Sequence, residues 1–184
     1  MTTPYRPAVA WLLGAAILLV ALTAAARLVD AGDGDFGFLA TGPAGLKING
    51  STQIFKADES GGKVNIRVPL QHLETGISLR DEHLRGYLDT DHHPNATLVV
   101  ERSSLKFPAD NQTVNARGSG KLTLHGTTRS LPFTYRVLRT GSDYHVQGLA
   151  QLDIRDYGVE VPCYLSVCVK PQVKLKVKFK LRNQ

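Results

Sequence analysis

Between Val173 and Arg182 apolar and basic residues alternate without a break. Val173, Leu175, Val177, Phe179 and Leu181 hold one parity, and Lys174, Lys176, Lys178, Lys180 and Arg182 the other. Successive side chains of a β-strand point to opposite faces, so this period of two makes a strand with one apolar and one basic face. On a helix the same lysines would spread round the whole circumference. The period recurs upstream. Val64, Ile66 and Val68 alternate with polar residues, as do Leu98 and Val100. Val114, Ala116, Gly118, Gly120, Leu122 and Leu124 share one parity; Leu131, Phe133, Tyr135 and Val137 form the next run, and Val146, Gly148, Ala150, Leu152 and Ile154 the one after. Leu105 and Phe107 resume on the opposite parity to Leu98 and Val100, which predicts a bulge near Ser103. Strands over 36–41 and around Thr52 and Ile54 complete the set, and turn-forming stretches at 59–62, 108–111, 125–128 and 140–143 punctuate it. Eight strands joined by short turns predict an all-β, antiparallel up-and-down barrel over residues 36–184.

One segment departs from the period. Over 78–88, Ser78 and Asp81 have the spacing of a capping box, and Leu84, Tyr87 and Leu88 fall on one face, so a short helix is expected. At the other extreme, 19 positions from Ala8 to Ala26 carry no charge, behind Arg6 and ahead of a Gly/Asp-rich stretch. Residues 1–26 therefore read either as a cleaved export signal, with Ala24, Ala25 and Ala26 as the small-residue site, or as a retained membrane-anchor helix. Residues 27–35 read as a linker. Either way the barrel is expected outside the cytoplasm, and membrane association through the N-terminal segment follows from the second reading. Cys163 and Cys168 fit an exported protein with one disulfide. Five residues apart on a straight strand they could not meet, so the disulfide requires a turn between them. Free thiols are the alternative.

The formal charge of +6 invites a nucleic-acid reading, but it is local. Up to residue 168 there are 16 basic and 16 acidic residues, and Lys170, Lys174, Lys176, Lys178, Lys180 and Arg182 supply the whole excess. No nucleic-acid partner is expected. The basic stripe either faces an anionic surface or guards the chain's last strand against edge pairing.

An eight-stranded barrel either fills itself with side chains or encloses one small or elongated ligand. Small residues at Ala116, Gly118, Gly120, Gly148 and Ala150, read as lying on two adjacent strands, leave room inside. Leu98, Val100, Leu122, Leu124, Phe133, Tyr135, Val146 and Leu152 would line that room with apolar surface. The alternative is that the glycines relieve crowding in a filled, coiled barrel.

Three motifs carry a resemblance. The stretch TGISLRDEHLRGYLD over 75–89, followed by Pro94, resembles the signature of the YceI-like, polyisoprenoid-binding family. The stretch LTLHGTTR over 122–129 is similar to its strand ending in His-Gly, and RDYG over 155–158 to the turn before its last strand. The resemblance runs from about Phe36 to Leu181. It implies a lipocalin-like barrel in the bacterial periplasm that encloses an isoprenoid, a quinone or another long-chain lipid, for carriage, storage or stress protection. The sequence leaves the oligomeric state open, a dimer included. The polar Asp91-His92-His93 run and the two cysteines depart from the usual pattern.

The densest polar cluster is Arg80, Asp81, Glu82, His83, Asp89, Asp91, His92 and His93. No nucleophile accompanies His83, and the histidines lack helical ligand spacing, so neither an enzyme nor a metal site is expected and no cofactor is implied. Arg80, with its planar fork of donors, and His83 are the candidates for a lipid headgroup at the mouth. Two other readings stay open: an interaction module with a filled barrel that uses its basic last strand, and a metal or redox accessory protein built on His83, His92, His93 and the cysteines.

Overall fold

The computed structural model describes residues 27–32, 34–164 and 167–184. The expected signal or anchor over 1–26 lies outside the described residues, among which no helix is long and apolar enough to cross a membrane. The chain is all-β with one helix. Its strands are β1 (Leu28–Asp30), β2 (Asp35–Thr41), β3 (Lys47–Thr52), β4 (Lys56–Ser60) and β5 (Lys63–Pro69), then β6 (Asn95–Glu101), β7 (Thr113–Leu124), β8 (Thr127–Thr140) and β9 (Asp143–Asp153). A small ribbon, β10 (Cys163–Tyr164) with β11 (Val167–Cys168), precedes β12 (Gln172–Asn183). The helix α1 (Ser78–Tyr87) crosses between β5 and β6.

The main sheet has ten strands, entirely antiparallel, in the order β3-β2-β12-β9-β8-β7-β6-β5-β4, with β1 also on β12. It curls until its ends meet. The seam between β1 and β4 is made by side chains: Ala57 N–H donates to Asp30 Oδ2 (3.3 Å) and Leu28 N–H to Glu59 Oε2 (3.1 Å). Glu59 is buried and also pairs with Arg102.

Four expectations are corrected. The stretch read as a linker, 27–35, contains β1, because Leu28 is fully buried (0 % exposed) at the seam and ladders onto Asn183. The strand β4 is the other addition to the expected eight; its sequence, Lys-Ala-Asp-Glu-Ser, carries too few apolar residues to show the period. Ile54 lies outside β3, exposed in the turn to β4. Residues 105 and 107 do not resume a strand behind a bulge; a 3-10 turn, Arg102–Ser104, ends β6, and the segment folds over one end of the barrel instead. There Lys106 N–H donates to the Tyr135 hydroxyl (2.7 Å) and Phe107 meets Tyr144 edge-on.

The small residues also sit differently from expectation. The strands β7 and β9 are not neighbours; β8 runs between them. Phe133 on β8 is in register with Gly118 on one side and Ala150 on the other, and Tyr135 with Ala116 and Gly148. Each aromatic ring is thus flanked by small residues on both adjoining strands, which gives it room on a coiled wall.

Candidate functional site

The barrel encloses a cavity of about 710 Å³. Its lining is apolar nearly throughout because the inward parity of every long strand is apolar; Thr75, Arg80 and His83 stand at the end covered by α1, and Lys106 and Tyr135 at the opposite end. That helix presents Arg80, His83, Leu84, Tyr87 and Leu88 to the cavity, residues spaced as one helical face. Around the same end stand Pro43 from the loop after β2, and Pro162 and Cys163 from the ribbon. The ribbon places Cys163 opposite Cys168, joined as a disulfide with Cα atoms 4.0 Å apart.

The helix start is built differently from a capping box. Ile77 takes the N-cap position and no side chain caps it. Asp81, buried, turns back instead to accept from Thr75 N–H (2.7 Å) and from the Thr75 hydroxyl. Arg80 then donates from Nε to Thr75 Oγ1 (2.8 Å) and from Nη2 to Thr75 O (2.9 Å). This clamp holds the guanidinium at the cavity rim, with no acceptor among the described residues for Nη1.

Of the residues singled out as lining, the cavity takes Arg80 and His83 from α1, Leu98 and Val100 from β6, Leu122 and Leu124 from β7, and Phe133 and Tyr135 from β8. From β9 it takes Val146, Gly148, Ala150 and Leu152. Ala116, Gly118 and Gly120 stand behind other atoms. A Cβ on Gly118 would lie 2.7 Å from the Phe133 ring, and one on Gly120 would lie 2.8 Å from Leu98 Cδ1 and from Val99 O. Ala116 packs against the Tyr135 cluster at the far end. Sequence reasoning passed over Phe36, Phe38, Ile66, Leu175 and Val177, which also line the cavity. Their signal was the same period of two, and only the closure of the sheet tells which runs face a shared interior.

His92, His93 and His125 lie apart from this interior. Asp89, with φ +47°, ends α1; His92 Nδ1 donates to its Oδ1 (2.7 Å), and His93 meets His125 edge-on at 5.3 Å. The His92 hydrogen bond holds the Asp89 carboxyl below its usual range and raises the His92 imidazole above its own. Among the described residues no group of three or more His, Cys, Asp or Glu side chains is arranged to hold a metal. The RDYG motif is a turn. Tyr157 is buried in the core, Gly158 takes the left-handed conformation (φ +74°) that ends the 3-10 helix, and Arg155 grips Asp153 through two hydrogen bonds.

Comparison with known proteins supports this architecture. A polyisoprenoid-binding domain from Saccharophagus degradans, implicated in plant cell wall breakdown, superposes with a TM-score of 0.71 at 18% identity, over 87% of this chain and 99% of that domain. BcnA of Burkholderia cenocepacia gives 0.65 at 17% identity, over 83% and 98%. The YceI protein of Campylobacter jejuni gives 0.57 at 14%, over 76% and 86%. In sequence, a UPF0312 protein of Pseudomonas paraeruginosa is 27% identical over 121 residues, 61% of this chain and 60% of that protein. Another from Pectobacterium atrosepticum is 27% identical over 97 residues, 52% and 47%. The matches thus span about half the length of these curated relatives. Residues 35–181 match the YceI-like domain model, and the chain belongs to the YceI-like family.

Proposed function

We propose that the protein is a lipid carrier of the periplasm, not an enzyme, and that it holds an isoprenoid or similar long-chain lipid inside the barrel with the headgroup at Arg80 and His83. The observation that carries this reading is the size and lining of the cavity. Ligand sites commonly measure about 300–1,000 Å³ and are mostly apolar, and this one, at about 710 Å³, falls inside that range. An apolar interior of this extent gains by exchanging water for hydrocarbon. At the end covered by α1, the clamped guanidinium suits a phosphate or carbonyl. The polyisoprenoid-binding description of the Saccharophagus domain points the same way.

The test is to purify the protein without detergent, extract it with organic solvent and identify what is released by mass spectrometry. A prenyl or other long-chain lipid at one equivalent is expected. A fully folded protein that yields none, and takes up none from added polyprenyl phosphate, sinks the proposal.

A further inference from the structure

The lysine stripe has lost its simplest explanation. Lysines blunt exposed sheet edges, but β12 is not an edge: it is laddered along its whole length to β9 and on its other side to β2 and β1. Its outward row is the middle of a broad wall. Reading across in register, Lys180 adjoins His145, Lys178 adjoins Gln147 and then Arg136, and Lys176 adjoins Leu149, Thr134 and then Arg117. Lys174, Lys176 and Lys178 are exposed, as are Arg117 and Arg136, and among the described residues none of these five, nor Lys180, forms an ion pair. The acids near this row are Asp35 on β2, across from Lys178, and Asp143 and Asp153 at the two ends of β9, which are paired with Arg182 and Arg155. In the midst stands Leu149, 57 % exposed.

We propose that this wall, β12 with β9, β8 and β7, is a docking surface for an anionic lipid bilayer. Three observations favour a membrane over other polyanions. The cations are spread evenly: alternate residues on a strand lie about 6.7 Å apart and neighbouring strands about 4.8 Å, so the charges sit within a Debye length of about 8–10 Å and act as one field. That matches a continuous leaflet better than one peptide. The wall carries two exposed leucines, Leu138 and Leu149, and no exposed Phe, Tyr or Trp, which suits shallow contact with lipid better than stacking of nucleic-acid bases. Finally, the uncharged run ending at Ala26 enters the described chain at this strand. Arg27 and Gln184 exchange backbone hydrogen bonds (3.1 and 2.9 Å) just past the end of β12. Any membrane contact made through that run brings the lysine strand to the same surface.

This inference does not depend on what fills the cavity, and its test reads vesicle binding, not lipid content. The whole chain is cosedimented with vesicles of phosphatidylcholine alone and of phosphatidylcholine with phosphatidylglycerol, so that the N-terminal run contributes equally to both. Each basic residue near an anionic surface multiplies binding about fivefold, so the wild type is expected to prefer the anionic vesicles by about 100-fold or more, with the preference collapsing near ~1 M salt as the Debye length falls to about 3 Å. The K174Q/K176Q/K178Q/K180Q variant should lose most of that preference while its circular dichroism is unchanged. If that variant fails to fold, R117Q/R136Q should lower the preference by about tenfold or more. Equal binding to both vesicle types overturns the proposal. So does an equal loss in K47Q/K56Q/K63Q/R67Q, whose charges lie on β3, β4 and β5, or tighter binding to RNA than to the anionic vesicles.

Discussion

At Asp89 and His92 a single hydrogen bond sets two titrations in opposite directions. The raised imidazole contributes stability that is complete below its ordinary 6.5 and fades as pH rises through the folded value. The lowered carboxyl contributes stability that is present above its ordinary 3.8 and fades as pH falls. The turn after α1 is therefore held best in the window between. In D89N, which keeps a residue tolerant of positive φ, His92 is expected to return to an ordinary titration near 6.5; an unmoved His92 in the NMR pH series would refute the pairing. Asp153, drawn down to about 2 chiefly by the Arg155 hydrogen bonds, follows the carboxylate rule: its contribution to the 3-10 turn before the ribbon is lost only between 3.8 and about 2. Glu59 works at the barrel seam. Its removal in E59A leaves the Leu28 N–H without its acceptor and takes a carboxylate partner from Arg102, so a loss of about 2 kcal/mol is expected, seen as a lower urea midpoint at unchanged slope.

At the scale of elements, the contrast between β12 and β4 explains what could be read from sequence. Where one face is buried and the other wet, as along β12, β7, β8 and β9, the pattern shows the strand and its inward parity directly. The strand β4 and the three residues of β1 leave no such mark, because β4 buries Ala57 and Glu59, and Glu59 is there for the seam. Strand neighbours are equally silent. Nothing local says that β8 separates β7 from β9, so Gly118 looked like open volume when it is the seat of Phe133, while Gly148, in register with Tyr135, does line the cavity. The helix was legible as a face, Leu84 to Leu88, but its start was not. Asp81 has the right spacing for a capping box and spends its carboxylate on Thr75 instead. Two variants separate these roles. G118A drives a Cβ into the Phe133 ring, so a destabilisation of about 1–3 kcal/mol is expected, where a glycine that merely left space would accept alanine at no cost. D81A frees the Thr75 loop and with it Arg80. It should cost about 2 kcal/mol in urea unfolding and also weaken retention of a phosphate-headed lipid, whereas R80Q should weaken retention with little change in the urea midpoint.

For the whole molecule, the cavity makes stability a function of its contents. A barrel that buries its apolar parity against a space of about 710 Å³ has no single core to fall back on; its two clusters lie at opposite ends, one under α1 and one around Tyr135 and Phe179. Whatever occupies the middle joins them. A ligand that binds only the folded barrel adds about 2.7 kcal/mol at a hundred times its Kd. For a domain of this size each kcal/mol moves the melting temperature by about 2–4 °C. Delipidated protein is thus expected to melt roughly 5–11 °C below the protein as purified, and titrating in a long-chain prenyl alcohol should restore the difference in a saturable way. A short alcohol with the same headgroup should not, because it cannot bridge the two clusters. The L152W variant narrows the interior without touching Arg80 or the lysine wall, so it should raise the melting temperature of the delipidated form towards that of the loaded one and abolish the response to ligand. If delipidation leaves melting unchanged in the wild type, the interior is self-sufficient and the barrel's stability does not depend on a guest.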